Sequence, residues 1–153
     1  MIGQPKPRGS LVLKIVIVLL IGVLVYTIWE PFEIIRTEEQ NRTESRLRMA
    51  NIRNAQMAYY AEYQTYQSDL DSLIRWIQTD SLVVAKRDSI FKPLSAGVFI
   101  PESLKYSPAS HTEYEIQVDD TSSTHRYVIR CPDEFGFVSD LDDVSQLHRA
   151  SWE

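Results

Sequence analysis

The side chains with the widest chemical range are few and scattered. His111, His125 and His148 stand in separate polar stretches, without the HExxH-like spacing that would set two imidazoles around a zinc ion. Among only five glycines there is no phosphate-cradling loop and no G-x-S-x-G elbow to expose a nucleophilic serine. Cys131 is the single cysteine, which excludes an intramolecular disulfide, a CxxC redox pair and a multi-cysteine zinc site. It could serve as a nucleophile with His125 as base, but it ends an alternating apolar run, where burial disfavours the thiolate. This inventory points away from an enzyme. Tyr59, Tyr60, Tyr63 and Tyr66 could stack on a carbohydrate or other ligand, although at helical spacing beside an apolar face such rings more often form core and rim. Asp133, Glu134, Asp140, Asp142 and Asp143 crowd a short region. Carboxylates at that density suit an oxygen-ligated cation such as calcium. Without complete EF-hand spacing, a solvated acidic loop is the favoured reading.

The elements that would carry these groups begin with a long helix. From Phe32 to Tyr63 there is no glycine or proline and most residues favour helix, so one helix is expected to run through this stretch. Arg36 to Arg48 is nearly all polar, with Glu38 and Glu44 each four residues before an arginine, the order that supports an exposed helix. Beyond it Met49, Ile52, Gln56, Tyr59, Tyr60 and Tyr63 recur at helical spacing, and the apolar face they make needs a cover, most simply a sheet of the same domain. Ser68 with Asp71 predicts a capped second helix over Asp69 to Gln78, with Leu70, Leu73, Ile74 and Ile77 on one stripe. Thr79 to Leu94 fits either a continuation of that helix or an irregular connector.

Two segments alternate with period two. Tyr114, Ile116 and Val118 share one face, as do Tyr127, Ile129 and Cys131, which predicts a hairpin across Asp119 to His125. For the apolar faces to coincide, Val118 must oppose Tyr127, Ile116 oppose Ile129 and Tyr114 oppose Cys131, since a slip of one residue would turn one set to solvent. Glu115 then opposes Arg130 on the wet face. Phe135 to Val138 is a candidate third strand and Leu104 to Ser107 a short edge strand, stopped by Pro108. Leu141, Val144, Leu147 and Trp152 are available to dock the tail. The expected fold class is α+β.

At the other end, Leu11 to Trp29 reads LVLKIVIVLLIGVLVYTIW, with one charge in nineteen residues. At about 1.5 Å per residue it matches the roughly 30 Å hydrocarbon thickness of a bilayer. Lys14 lies one turn from its start, close enough for the ammonium to reach head-group level, and Tyr26 and Trp29 are the amphipathic rings expected at the other interface. No small-x-small site follows the run, so an uncleaved anchor is expected rather than a removed signal peptide. Three of the 16 basic residues and none of the 21 acidic ones lie before Glu30, which leaves the remainder at −8. An acidic remainder disfavours nucleic-acid binding. The positive-inside rule places Lys6, Arg8 and Lys14 in the cytoplasm. The expected organisation is a cytoplasmic leader at 1–10, a transmembrane helix at 11–29, an exposed helical stalk at 30–48 and an α+β domain at 49–153. The protein would then be a single-pass protein of the cell (inner) membrane, its domain periplasmic or extracellular.

This order of parts, together with RLRMANIRNAQMAYYAEYQTYQSDLDSLI at Arg46 to Ile74, resembles the type IV pilin and type II secretion pseudopilin superfamily. The resemblance implies a long N-terminal helix packed on a small antiparallel sheet. It also implies a non-enzymatic role in a filament or secretion-type envelope assembly, with partners being the lipid bilayer and other pilin-like subunits. It points to Gly9–Ser10 as the processing position. The fifth residue beyond that cut is Lys14, where the family carries a glutamate. Asp140, Asp142 and Asp143 fall where several pseudopilins hold calcium. Gly22 would permit close approach of a neighbouring helix. Two other readings share the anchor: an accessory subunit of another membrane complex, and an extracytoplasmic ligand-binding module.

Overall fold

The computed structural model describes residues 11–153. Contacts divide the chain into two compact units, Met1–Glu39 and Gln40–Glu153. Helix α1 spans Leu11–Tyr63, including the continuation expected beyond Phe32. It stops at Gln64, which adopts a left-handed φ of 58° while its N–H donates to the Tyr60 carbonyl at 2.9 Å.

In the second unit, Met49, Ile52 and Ala55 of α1 are fully buried and share one core with the stripe of helix α2, Leu70–Thr79, and with Tyr127, Ile129 and Val138 of the sheet. Leu70, Leu73, Ile74 and Ile77 are all buried, as their spacing predicts. Each such side chain contributes about 1.5–3 kcal/mol by leaving water. The cap of α2 is Asp69 rather than Ser68: its carboxylate accepts from the Ser72 N–H at 2.8 Å. The stretch that the sequence left open holds two short helices, α3 at Ser81–Ala85, capped by Asp80, and α4 at Arg87–Ile90.

The sheet is antiparallel with order β1 (Glu115–Asp119), β2 (Arg126–Arg130), β3 (Phe137–Val138). Its register is the expected one: Val118 pairs with Tyr127, Ile116 with Ile129 and Glu115 with Arg130. Tyr114 and Cys131 lie just outside the strands, yet both reach the fully buried Ser45 of α1, whose Oγ is 2.8 Å from the Tyr114 hydroxyl and 3.2 Å from the Cys131 sulfur. The edge strand expected at Leu104 to Ser107 reduces to one bridge, Tyr106 with Glu113, because Pro101–Leu104 winds into a 3-10 turn. Val128, which alternation puts on the wet face, is buried. Beyond β3 the chain returns and covers that edge: Val138 bridges Ala150, Ser139 N–H donates to the Arg149 carbonyl, and Ser151 N–H to Phe137. Gly136 makes room for this return, with φ 137° and an ideal Cβ position only 2.7 Å from the Trp152 ring.

Three amides on α1 hold the loops. Asn51, fully buried, donates to the Lys92 carbonyl at 2.9 Å and accepts its N–H at 2.8 Å. Gln56, also fully buried, makes the same reciprocal pair with Gln67, and Asn54 donates to the Ile90 carbonyl. Buried amides survive in an apolar face because every polar atom they bring is paired. They tie the segments that flank α2 to α4 onto α1.

Coverage of α1 also begins earlier than its polar stretch suggests. Side chains from Phe32 to Gln40 are exposed, but Asn41 to Arg48 is largely half-buried and Ser45 is inaccessible, about one turn before Met49. Polar residues are tolerated there because the head offers them backbone partners.

Candidate functional site

The first unit presents one conspicuous surface. Leu11 to Trp29 lies within α1, and its most apolar eighteen-residue window has a mean hydropathy of 2.9 with none of it buried. By length and composition it can cross a membrane. Fourteen of its residues are Leu, Ile or Val. At about −0.3 to −0.6 kcal/mol each for insertion, they outweigh a single lysine costing about 3 kcal/mol at midplane and less near an edge. Lys14 is exposed, Tyr26 and Trp29 are about two-thirds exposed, and a Cβ added at Gly22 would meet nothing within 4 Å. The apolar surface outlasts the expected span, since Phe32, Ile34 and Ile35 are equally exposed, now interleaved with Glu33 and Arg36. Gly9 and Ser10 lie outside the described residues.

On the second unit, α1 carries a collar of charged side chains that close on the head. Glu44 accepts from the Ser95 N–H at 2.9 Å and from Arg48 at 3.0 Å. Burial pushes its carboxyl upward, but these hydrogen bonds and the Arg48 charge outweigh it and hold the group below the ordinary glutamate range. Arg48 also donates to the Tyr106 carbonyl at 2.6 Å. Arg53 donates to the His148 carbonyl at 3.1 Å and to both carboxylate oxygens of Glu153 at 3.0 Å.

The aromatic cluster divides. Tyr59 and Tyr63 pack on Trp76 of α2, while Tyr66 stacks on Tyr60 and packs at a tilt against Tyr127 of the core, where burial pushes its hydroxyl up to about 12. His148, which stands in a polar stretch of the sequence, is half-buried: Tyr127 bonds Nδ1 at 3.0 Å and Tyr66 approaches Nε2 at 3.4 Å. Burial and then the nearby Arg53 charge press its pKa below the usual value. His125 pairs with Asp120 at 2.9 Å and Cys131 with Ser45, so each has a partner of its own.

The acidic region is organised by its own backbone. Asp140 accepts from the Asp142 N–H at 2.8 Å, and Asp143 caps the 3-10 turn Val144–Gln146 by accepting from Ser145 at 2.9 Å. That hydrogen bond lowers the Asp143 pKa. Asp133 accepts from Ser107. Among the described residues, no group of three His, Cys, Asp or Glu side chains converges as a metal site would require. Proximity in sequence signalled neither the collar, which joins α1 to residues some fifty to one hundred positions away, nor the His148 pocket, which joins Tyr66 and Tyr127 to a residue 82 and 21 positions on.

Set against known protein families, curated proteins and solved structures, the chain matches none.

Proposed function

We propose that the chain is a non-enzymatic, single-pass membrane-anchored subunit of a pilin-like or pseudopilin-like envelope assembly. Leu11 to Trp29 would lie in the bilayer and the α+β head on the non-cytoplasmic side. The observation that carries this reading is the wholly unburied apolar window of α1, whose helix also supplies the core of a small α+β unit. So much apolar surface has no place in water and is satisfied by lipid or by neighbouring helices. The charge asymmetry of the sequence supports the orientation, and the Arg46 to Ile74 stretch supports the pilin-like comparison. Lys14 at the position of the family's glutamate supports a second reading, an accessory subunit that uses the helix only as anchor.

Alkaline carbonate extraction tests the anchor. The full-length protein is expected to stay in the membrane pellet and leave it only with detergent, and full-length protein found in the soluble fraction would refute the proposal. Mass spectrometry of the N-terminus separates the two anchored readings: a start at Ser10 marks pilin-type processing, whereas an intact leader favours the accessory subunit.

A further inference from the structure

We infer that the cleft between α1 and the returning C-terminal segment of the head docks a second copy of this chain, and that it takes the stretch Phe32 to Glu39 of that copy. The inference rests on the assembly reading above and gives it a specific contact.

The cleft has a volume of about 240 Å³. Leu47 and Ala50 of α1 and the indole of Trp152 give it apolar walls, and three cations, Arg46, Arg53 and Lys92, with one carboxylate, Glu153, give it charge. Arg53 is already neutralised by Glu153. Arg46 is not: its Nε donates to the Phe135 carbonyl at 3.3 Å and its guanidinium lies 5.4 Å from the Trp152 ring, but among the described residues its terminal nitrogens have no acceptor. The Lys92 ammonium has none either, while its backbone is fixed by Asn51. A guanidinium held against an indole has little rotamer freedom left to lose and presents its remaining donors in a fixed fork. The cleft therefore offers two cations without a hydrogen-bond acceptor beside an apolar wall, although the Lys92 charge also acts on Glu153.

Its complement is an acidic segment with an apolar backing. Phe32 to Glu39 meets that description: Phe32, Ile34 and Ile35 are each more than 60% exposed, and Glu33 and Glu39 are exposed on the same stretch. A carboxylate from Glu33 or Glu39 would pair with Arg46 and Lys92 while an isoleucine meets Leu47 and Trp152. Each copy thus carries one surface of each kind. A contact that joins unlike surfaces once between two copies leaves one of each unused at its ends, so it propagates into a chain of subunits unless the rotation closes it.

The test uses full-length protein in mild detergent, mixed from light and isotopically heavy preparations and treated with a zero-length carbodiimide. The expected product is an inter-copy link from Glu33 or Glu39 to Lys92. Raising the salt weakens it. Glu39→Lys alone and Lys92→Glu alone each lower the yield at least about tenfold, as for other close interfacial charge pairs. A mixture of Glu39→Lys copies with Lys92→Glu copies restores it. Neither side chain is part of the head's core, so lost folding does not imitate the result. Oligomers whose links lie elsewhere and ignore these substitutions would overturn the docking while leaving assembly standing. A strictly monomeric protein would overturn both. Binding to phosphatidylglycerol vesicles that is lost in Lys92→Glu, without any inter-copy link, would give the cleft to lipid head groups and overturn the docking as well.

Discussion

Replacing Asn51 by leucine tests whether the α1 amides, rather than the apolar stripe alone, hold the loops of the head. The two side chains have the same branched outline and the same number of heavy atoms, so the shape of the site is largely kept. What changes is that the N–H and C=O of Lys92 lose their partners at 2.8 and 2.9 Å. A buried backbone group left unpaired costs about 1–3 kcal/mol. These two are only part-buried, so the lower half of that range applies to each, for a loss of about 3 kcal/mol. Burying two methyl groups in place of the amide oxygen and nitrogen, less the strain of their larger volume, returns about 1 kcal/mol. The net expectation is a destabilisation of about 2 kcal/mol, or about 10 °C in Tm for a unit of this size. Asn54→Leu removes one such bond, to Ile90, and is expected to cost about half as much. Urea unfolding of the full chain in detergent, followed by tryptophan fluorescence, reads both, with the slope against denaturant unchanged. An Asn51→Leu protein as stable as the parent would show that water replaces the amide without loss and would defeat the reasoning.

Gly136→Ala should lower the urea midpoint by the equivalent of about 1–3 kcal/mol, because a left-handed φ of 137° and a Trp152 ring atom 2.7 Å from the new Cβ strain the same residue; a neutral outcome would mean that the C-terminal return is loosely held. Since His148 is held below its ordinary pKa of 6.5, the unfolded chain takes up its proton first as pH falls, and stability present above that value is lost below it. Thermal melts from pH 7.5 to 5 should show this loss and should flatten in His148→Asn, a residue that tolerates the local φ of 66°; equal slopes in both proteins would contradict the assignment. Calcium at millimolar concentration is expected to leave the Tm unchanged, since Asp140 and Asp143 already accept from their own loop, whereas a rise abolished by Asp140→Ala with Asp142→Ala would reinstate the metal.

Period and alternation made the α2 stripe and the hairpin register readable, because each assigns residues to a face and a one-residue error would expose half of the apolar set. The apolar character of Leu11 to Trp29 was equally plain. Polarity misled where a polar residue found a distant backbone partner. Asn41 to Arg48 looks solvated by composition, and Gln56 looks like a flaw in an apolar stripe, yet Ser45, Asn51 and Gln56 are the most enclosed polar side chains of α1. Amides and hydroxyls at core spacing with no charge among them were the available signal. His148, Arg46 with Trp152, and the cleft beside Lys92 had no such signal, because each joins segments that only the tertiary fold brings together. Asp140 and Asp143, close in sequence, accept from separate backbone N–H groups of their own loop.

The pairing of Ile52 with a sheet that contains Ile129 also sets a timetable. At roughly 5–20 residues per second, synthesis needs on the order of 4–15 s to travel between the two. Throughout that interval the helix has been made while its covering strands are still untranslated. The nascent chain must therefore be shielded by whatever escorts it, and a host poor in such escorts is where this protein should first be lost to aggregation, before any folded property is at issue.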